Sequence, residues 1–254
     1  MISPNTTQKS TTKWFLFEPT DDLSLTMRFI DPQTGAESEC MHSLRGAFSE
    51  TDYIYGFAIR KTLELGFSQN FLSIGLGLGY CETLLAGLML QSTERVEIES
   101  FESDERLREQ FTNWILEKPV IEDFLKLYNQ TALSTSHLVE SSKAAICSQL
   151  REWVHAGQFK LRERLTFDTG FSHPFSCVLF DAFSSKSTPE VWTEQFLMNF
   201  FEVACAPNCI FATYACTGVL KRSLKRAGFE VQIRPGFSSK RDSTFAVRIL
   251  NKNL

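Results

Sequence analysis

Histidine is scarce in this sequence, with four residues in 254, and no His stands with Cys or another His in a spacing typical of a zinc site. The seven cysteines form no C-x-x-C pair, and several lie in apolar runs, where Cys behaves as a small buried hydrophobic residue. We therefore predict that the protein binds no metal and that its thiols are reduced.

Long apolar runs are also missing. No run approaches the roughly 18 residues of a membrane-spanning helix, and the first residues do not read as a secretory leader. The sequence therefore predicts a cytoplasmic protein that makes no contact with a membrane.

Acidic residues outnumber basic ones by four over the whole chain, but the C-terminal region reverses this balance. Residues 214–254 hold nine Lys and Arg against Glu230 and Asp242. A basic tail on an acidic body predicts a polyanionic partner near the C-terminus, although a solvated helix face explains the same charges.

Apolar segments of strand length alternate with segments of helical periodicity from residue 71 onward. This alternation predicts an α/β fold with a mostly parallel central sheet and helices on both faces. The predicted strands are 71–74, 95–101, 175–180, 209–214, 229–234 and 244–250. The predicted helices are 80–90, 189–205 and 217–227, with a helical insertion at about 105–157 that is broken at Pro119 and at 134–136.

The first 50 residues read as a polar tail and a small β appendage, with strands at 14–17, 25–30 and 40–43. A helix that is capped within 49–52 and stopped by Gly66 follows them. We therefore divide the chain into an appendage, 1–50, and one α/β domain, 51–254.

A glycine-rich loop, Gly75-x-Gly77-x-Gly79, directly follows the strand 71–74. Glycine lets the backbone turn sharply and approach a ligand closely. The spacing differs from that of the G-x-G-x-x-G loop that holds a pyrophosphate, and this favours a methyl donor that has none, S-adenosylmethionine. The alternative is a tight strand-to-helix turn that binds nothing.

Two acidic residues follow other predicted strands, at the edge of the sheet where α/β proteins bind ligands. Glu102 comes 23 residues after Gly79, a distance at which a carboxylate can accept hydrogen bonds from ribose hydroxyls, and Glu99 and Asp104 are its rivals. Asp181 follows the buried strand 175–180, where it can orient an amine and accept its proton, or simply end a turn.

Several segments, taken together and in this order, resemble the methyltransferase domain of the MnmC family, which makes 5-methylaminomethyl-2-thiouridine in tRNA. They are Asp181-Ala182-Phe183, Pro189-Glu190-Val191-Trp192-Thr193, Phe211-Ala212-Thr213-Tyr214, Gly218-Val219, Arg222-x-Leu224-x-x-Ala227-Gly228-Phe229 and Gly236-Phe237-x-x-Lys240-Arg241. Upstream, His42-Ser43-x-x-Gly46-Ala47-x-x-Glu50 and the loop from Ile74 to Tyr80 resemble family members that lack the fused oxidase.

The resemblance implies a Rossmann-like class I methyltransferase fold with S-adenosylmethionine as cofactor. It implies methylation of the exocyclic amine of an aminomethyl-uridine at the tRNA wobble position, and it leaves room for a separate flavin-dependent oxidase acting on the same nucleoside. By position, Asp181 matches the family's catalytic acid and Glu102 matches the acid after its second strand. Asp168 is the candidate for a contact on the adenine side.

The resemblance also places Phe183, Lys240 and Arg241 near the substrate mouth. Lys221 and Arg222 are candidates for contacts with tRNA phosphates. Phe237 follows Pro235-Gly236, on a predicted loop, and is the favoured platform for a base that is splayed out of the RNA.

Some positions depart from the family pattern. Ser73 replaces an acid, Cys81 replaces an Asn, and Ser185 and Ser187 stand where many members have Pro and Lys. Two alternatives therefore stay open: a methyltransferase of the same fold that acts on a small amine or another RNA, and an RNA-binding homologue without catalysis.

Overall fold

A computed structural model describes residues 10–11, 14–238 and 242–250 of the chain. Within these ranges, seven strands form the central sheet: β4 (Asn70–Ile74), β5 (Glu97–Phe101), β6 (Phe159–Arg162), β7 (Phe175–Phe180), β8 (Cys205–Thr213), β9 (Glu230–Arg234) and β10 (Ser243–Ile249). Their order across the sheet is β6-β5-β4-β7-β8-β10-β9. Neighbouring strands are parallel except at β10, which runs antiparallel to both β8 and β9.

Among the described residues, eight α-helices pack around the sheet: α1 (Ala47–Thr51), α2 (Phe57–Glu64), α3 (Tyr80–Leu88), α4 (Glu105–Ile115), α5 (Glu122–Leu138), α6 (Lys143–His155), α7 (Glu194–Ala204) and α8 (Gly218–Arg226). A π-helical segment, Asp52–Gly56, joins α1 to α2, and a 3-10 turn, Pro189–Trp192, precedes α7. In the described part of the chain, every helix is too short or too polar to span a bilayer. The cysteines are all free thiols.

The two faces of the sheet bury two separate hydrophobic clusters, because successive side chains of a strand point to opposite sides. Phe71 and Leu179 pack among α1–α6 and the N-terminal strands. Leu72 and Phe180 pack against α7 and α8. The predicted α/β class, with a mostly parallel sheet and helices on both faces, is confirmed.

A small antiparallel sheet forms the N-terminal appendage, with β1 (Ser10–Thr11), β2 (Phe15–Pro19) and β3 (Leu25–Phe29) in that order. The β2 rings of Phe15 and Phe17 pack on Phe124 of α5, with ring centroids 5.3 and 5.0 Å apart. This packing fixes the appendage against the main domain.

The predicted strand at 40–43 is wrong, although this stretch does run beside β3. The Met41 N–H donates to the Met27 carbonyl at 3.0 Å, but the next N–H, of His42, donates to the Thr26 side-chain oxygen. A strand ladder needs successive backbone pairs, so none forms here.

The first helix begins earlier than predicted, at Ala47. Its free N–H groups are satisfied by residues far away in the chain: Ala47 and Phe48 donate to the Ser24 hydroxyl oxygen at 3.0 and 3.1 Å, and Ser49 donates to Asp22 at 2.9 Å. Capping normally comes from the residue next to the helix, so local sequence did not reveal this start.

Other differences concern polar residues and a short strand. The predicted break at 134–136 is wrong, because the Ser136 hydroxyl donates back to the Leu133 carbonyl inside α5. The predicted helix 189–205 is split at Thr193, whose hydroxyl oxygen caps α7. Strand β6 was not predicted, since it is a four-residue edge strand in which Phe159 alone is buried.

Candidate active site

Three strand ends meet at one edge of the sheet. In the parallel registers, Ile74 pairs with Phe101 of β5 and with Phe180 of β7. The residues that follow these three, Gly75, Glu102 and Asp181, therefore lie beside one another. The chain builds the sheet outward from β4 through β5 and β6 and then returns to β7, so this edge is the topological switch point where α/β folds bind ligands.

The glycine loop has a backbone that other residues adopt with difficulty. Gly75, Gly77 and Gly79 have φ angles of +90°, +52° and +70°. A Cβ atom on Gly75 would lie 2.5 Å from the main-chain oxygen of Asp181, and one on Gly79 would collide with the Phe111 ring. The close approach of β7 thus requires a glycine at position 75. The packing of the Phe111 ring of α4 requires one at position 79.

Glu102 is fixed beside the glycine loop by backbone donors. Its Oε2 accepts the Gly77 N–H at 2.9 Å, and its Oε1 accepts the Asp104 N–H at 2.8 Å. Burial raises the pKa of Glu102, and this effect outweighs the two hydrogen bonds, which lower it. The Glu102 carboxyl group therefore lies beside the glycine loop, where it can accept hydrogen bonds from a ribose.

The rival carboxylates are engaged elsewhere. Glu99 is buried and bonds Arg162 at 3.0 Å and the Ser172 hydroxyl. Asp104 caps α4 by accepting the Arg106 N–H at 2.9 Å.

A cavity of about 410 Å³ opens at this edge of the sheet. Its size falls within the range of about 300–1,000 Å³ that small-molecule sites occupy. Of the residues singled out in the sequence, the cavity is lined by Gly75, Gly77, Glu102, Asp181 and Phe183. Gly79 lies outside the lining.

Asp168 is exposed in the connection between β6 and β7 and also lies outside the lining. On that side of the cavity the lining residues are Arg164 and Leu165. The structure therefore does not bring Asp168 together with the other predicted cofactor residues.

One side of the cavity comes from the appendage, and sequence reasoning did not assign it. We call residues 39–42 the wall segment; all four line the cavity. Its Met41 sulfur lies 3.7 Å from the point that a Cβ on Gly77 would occupy, so the segment faces the glycine loop. The segment 42–50 that carries part of the family resemblance was the available signal.

Two carboxylates hold the wall segment in place. Glu39 accepts the Ser184 and Ser187 hydroxyls at 3.0 and 2.6 Å, which ties the segment to the loop after β7. Glu50 of α1 accepts the Ser43 N–H at 2.7 Å. Both carboxylates also line the cavity.

Asp181 is held by its backbone and by its side chain. Its N–H donates to the Ile74 carbonyl at 2.8 Å, and its Oδ1 accepts the Tyr55 hydroxyl at 2.7 Å. The Tyr214 hydroxyl donates to the neighbouring Ala182 carbonyl at 2.9 Å. Tyr55 and Tyr214 both line the cavity; Tyr55 was missed from the sequence, and Tyr214 was noted there only within the family resemblance.

The lining is acidic. Arg164 is the one Arg or Lys in the described lining, and it forms an ion pair with Glu190 across the rim. The lining carboxylates are Glu39, Glu50, Glu102, Asp181 and Glu190. Such a cavity attracts a cationic ligand and repels an anionic one.

The predicted RNA-contacting residues lie elsewhere. Arg222 is exposed and Lys221 half-buried on α8, outside the cavity lining. Phe237 is also outside the lining, with its ring centroid 6.0 Å from that of Tyr53. Lys240 and Arg241 lie outside the described residues.

The basic tail is less free than its charge count indicates. The Arg248 guanidinium is buried and donates to the carbonyls of Ala227, Cys205 and Ala206. Arg226 bonds Glu194 of α7. These two cations serve the fold.

The lining fits S-adenosylmethionine. Glycines with positive φ keep side chains away from the loop, and the Glu102 carboxylate stands 2.9 Å from the Gly77 nitrogen, where a ribose would pass. The excess of carboxylates suits a ligand that carries a sulfonium and an ammonium group.

Comparisons with known proteins point to methyl transfer. A family model of S-adenosyl-L-methionine-dependent methyltransferases matches residues 163–249. Two relatives are named tRNA 5-methylaminomethyl-2-thiouridine biosynthesis bifunctional protein MnmC. The one from Hahella chejuensis is 42% identical over 67 residues, covering 26% of this chain and 10% of the relative. The one from Campylobacter hominis is 25% identical over 213 residues, covering 79% of this chain and 28% of the relative. The chain thus spans under a third of the length of these relatives.

Among solved structures, MnmC2 from Aquifex aeolicus matches with a TM-score of 0.61 at 23% identity, covering 98% of this chain and 72% of that one. This likeness concerns the fold. The family model adds the chemistry of S-adenosyl-L-methionine-dependent methyl transfer over residues 163–249, and the chain resembles the MnmC proteins.

Proposed function

We propose that the protein methylates a primary amine, and that this amine is the aminomethyl group of the wobble uridine in tRNA. The observation that carries the proposal is Asp181, a carboxylate at the switch point of the sheet, beside Gly75 and in an acidic cavity. The tRNA substrate rests on the MnmC relatives.

Different cavity residues would bind the cofactor and the amine. Bound S-adenosylmethionine supplies a methyl group on a positively charged sulfur. Gly75, Gly77 and Glu102 would hold this cofactor, and Asp181 would align a neutral amine with the methyl carbon and accept the proton that the amine loses. Phe183, two residues after Asp181 in the cavity lining, would supply an aromatic face for the base.

RNA would approach from the side of α8. This helix follows β8, the neighbour of β7, and presents Lys221 and Arg222 in its first two turns. Contacts to phosphates position an RNA without reading its sequence. A tRNA substrate would place the protein in the cytoplasm, where a separate flavin-dependent oxidase could act on the same nucleoside.

A small amine is the second candidate substrate, and the charge around the mouth favours it. A depression that shares Glu102 and Phe183 with the cavity is lined by Asp31, Glu37 and Asp104 against one cation, Arg106. These carboxylates repel phosphates on that side and attract a small cation.

The test is methyl transfer from CD₃-labelled S-adenosylmethionine to tRNA that carries aminomethyl-uridine, followed by mass analysis of the nucleosides. We expect the label on that nucleoside with the wild-type protein and its loss with Asp181→Asn. If the protein binds the cofactor and methylates small amines but leaves this tRNA unlabelled, a small amine replaces tRNA as the proposed substrate.

A further inference from the structure

The Tyr55 side chain contacts the Asp181 carboxylate. Its hydroxyl donates to Asp181 Oδ1 at 2.7 Å and lies 3.4 Å from the Phe180 carbonyl oxygen. The residue is 2% exposed, with its ring in the core between the sheet and α3. Tyr55 belongs to the π-helical segment Asp52–Gly56, and such turns recur at functional sites.

We propose that Tyr55 is a positioning residue for methyl transfer: its hydroxyl holds the Asp181 carboxylate in the orientation that receives the amine. The inference rests on the proposed role of Asp181 and adds a second residue to it. Tyr55 does not need to touch the substrate to act in this way.

The Tyr55 hydroxyl stays protonated at neutral pH and so remains a hydrogen-bond donor. Burial raises the pKa of Tyr55 well above its ordinary value, and the neighbouring Asp181 charge raises it further. The phenol therefore stays protonated and can only donate to the carboxylate. A buried hydrogen bond to a charged group is stronger than one between neutral groups, so it restricts rotation of the carboxylate.

The backbone leaves the carboxylate little other freedom. The Asp181 N–H is bound to Ile74, and its carbonyl faces Gly75 at a distance that excludes any side chain there. With the main chain fixed, rotation of the side chain is the remaining motion, and Tyr55 acts on that motion. Such small changes of geometry alter the rates of positioned reactions by up to about 100-fold.

Other titratable groups face Asp181 from several elements. They are the Cys81 thiol on α3, the Tyr214 hydroxyl after β8, and the Glu39 and Glu50 carboxyls across the cavity. Among the contacts of Asp181, Tyr55 donates a hydrogen bond to its side chain.

The first experiment compares Tyr55→Phe with Tyr80→Phe. Both tyrosines are 2% exposed, and the Tyr80 hydroxyl donates to the Leu25 carbonyl at the same distance, 2.7 Å, outside the cavity lining. Each variant keeps its ring and loses one buried hydroxyl, so the two should lose similar stability. We expect kcat for tRNA methylation to fall by about 10-fold or more in Tyr55→Phe and by less than about 2-fold in Tyr80→Phe. The affinity for S-adenosylmethionine should be unchanged in both.

A double-mutant cycle tests whether Tyr55 acts through Asp181. If it does, adding Tyr55→Phe to Asp181→Asn causes no further loss of rate. Equal losses of kcat in the two tyrosine variants, or additive losses in the cycle, would overturn the inference.

A titration separates this inference from the proposed function. In protein labelled with ¹³C at the Asp carboxyls, the titration midpoint of Asp181 should move up in Tyr55→Phe, because the charged form loses a donor. Tyr80→Phe should leave it in place. This measurement needs no substrate: an inactive wild-type protein would reject the proposed function alone, whereas an unmoved midpoint would reject the inference.

Discussion

The main-chain oxygen of Asp181 lies 2.5 Å from the point that a Cβ atom would occupy at Gly75. No real Cβ tolerates such a contact, and neither atom belongs to a flexible side chain. The ends of β4 and β7 can approach this closely only while residue 75 is a glycine.

The first prediction concerns Gly75→Ala. The added methyl must push β7 away or strain the loop, so we expect a loss of about 2–4 kcal/mol in the free energy of unfolding. Binding of S-adenosylmethionine should fall below detection by calorimetry, because the loop and Asp181 shift together. Urea unfolding measures the first effect.

Gly66→Ala is the matched control. Gly66 also has a positive φ, +64°, but a Cβ there would meet nothing within 4 Å. This variant should lose about 1 kcal/mol from backbone strain alone and bind the cofactor normally. Equal stability of the two variants would contradict the steric argument.

The second prediction separates Glu102 from its rival. Glu102→Gln replaces a carboxylate oxygen by an NH₂ group that would face the N–H donors of Gly77 or Asp104. We expect the affinity for S-adenosylmethionine to fall about 10-fold or more, since a charged acceptor is lost. The dissociation constant can be measured by calorimetry.

Glu99→Gln should behave in the opposite way. Glu99 bonds Arg162 and Ser172, away from the cavity, so its variant should lose stability and keep its affinity for the cofactor. A weaker affinity in Glu99→Gln than in Glu102→Gln would reverse the two roles.

The third prediction concerns the pH dependence of stability. Glu82 on α3 is 1% exposed, and its Oε1 accepts the Ser100 hydroxyl at 2.6 Å, next to Ser73 on the neighbouring strand. Burial raises the pKa of Glu82 from 4.5 to about 7, although the hydrogen bond from Ser100 lowers it. The folded protein therefore holds a proton that the unfolded chain releases, and the stability this gives is complete below pH 4.5 and lost as pH rises through 7.

The wild-type protein should lose on the order of 2 kcal/mol of unfolding free energy through Glu82 between pH 5.5 and pH 8. Glu82→Gln cannot ionise and should lack this loss, so its advantage over the wild type grows with pH. Denaturant unfolding at both pH values measures the difference. Parallel stability curves for the two proteins would show that Glu82 is ionised in the folded state at pH 5.5.

The fourth prediction tests the RNA surface. Lys221→Ala and Arg222→Ala should each weaken tRNA binding and reduce the slope of log affinity against log salt by about one. Affinity for S-adenosylmethionine should stay unchanged, because neither residue lines the cavity. Lys126→Ala, at an exposed position on α5, is the control for a general loss of positive charge.

The sequence predicted the part of the site that follows from strand order. Gly75, Glu102 and Asp181 each come directly after a predicted strand, and parallel strands bring their carboxyl ends to one edge. Local pattern was therefore enough to bring these three together. Because β7 is mostly apolar and buried along its whole length, the sequence showed where this strand ends, at the residue before Asp181.

The rest of the site depends on contacts between distant residues. Glu50 and Tyr55 line the cavity because α1 and the π-helical segment pack against the sheet, and α1 begins where Ser24 caps it. The wall segment shows no strand pattern in the sequence. It is bound to β3 partly through the Thr26 side chain, which accepts the His42 N–H. Asp168 was chosen by its place in the chain, and the turn that carries it points into solvent.

The wall segment belongs in sequence to the appendage, yet it closes one side of the cavity. A chain that began at residue 51 would lack this side of the cavity, together with the appendage side chains that pack in the core. The appendage and the sheet therefore build the site together, and a change in the N-terminal stretch would reach any ligand that lies on the glycine loop.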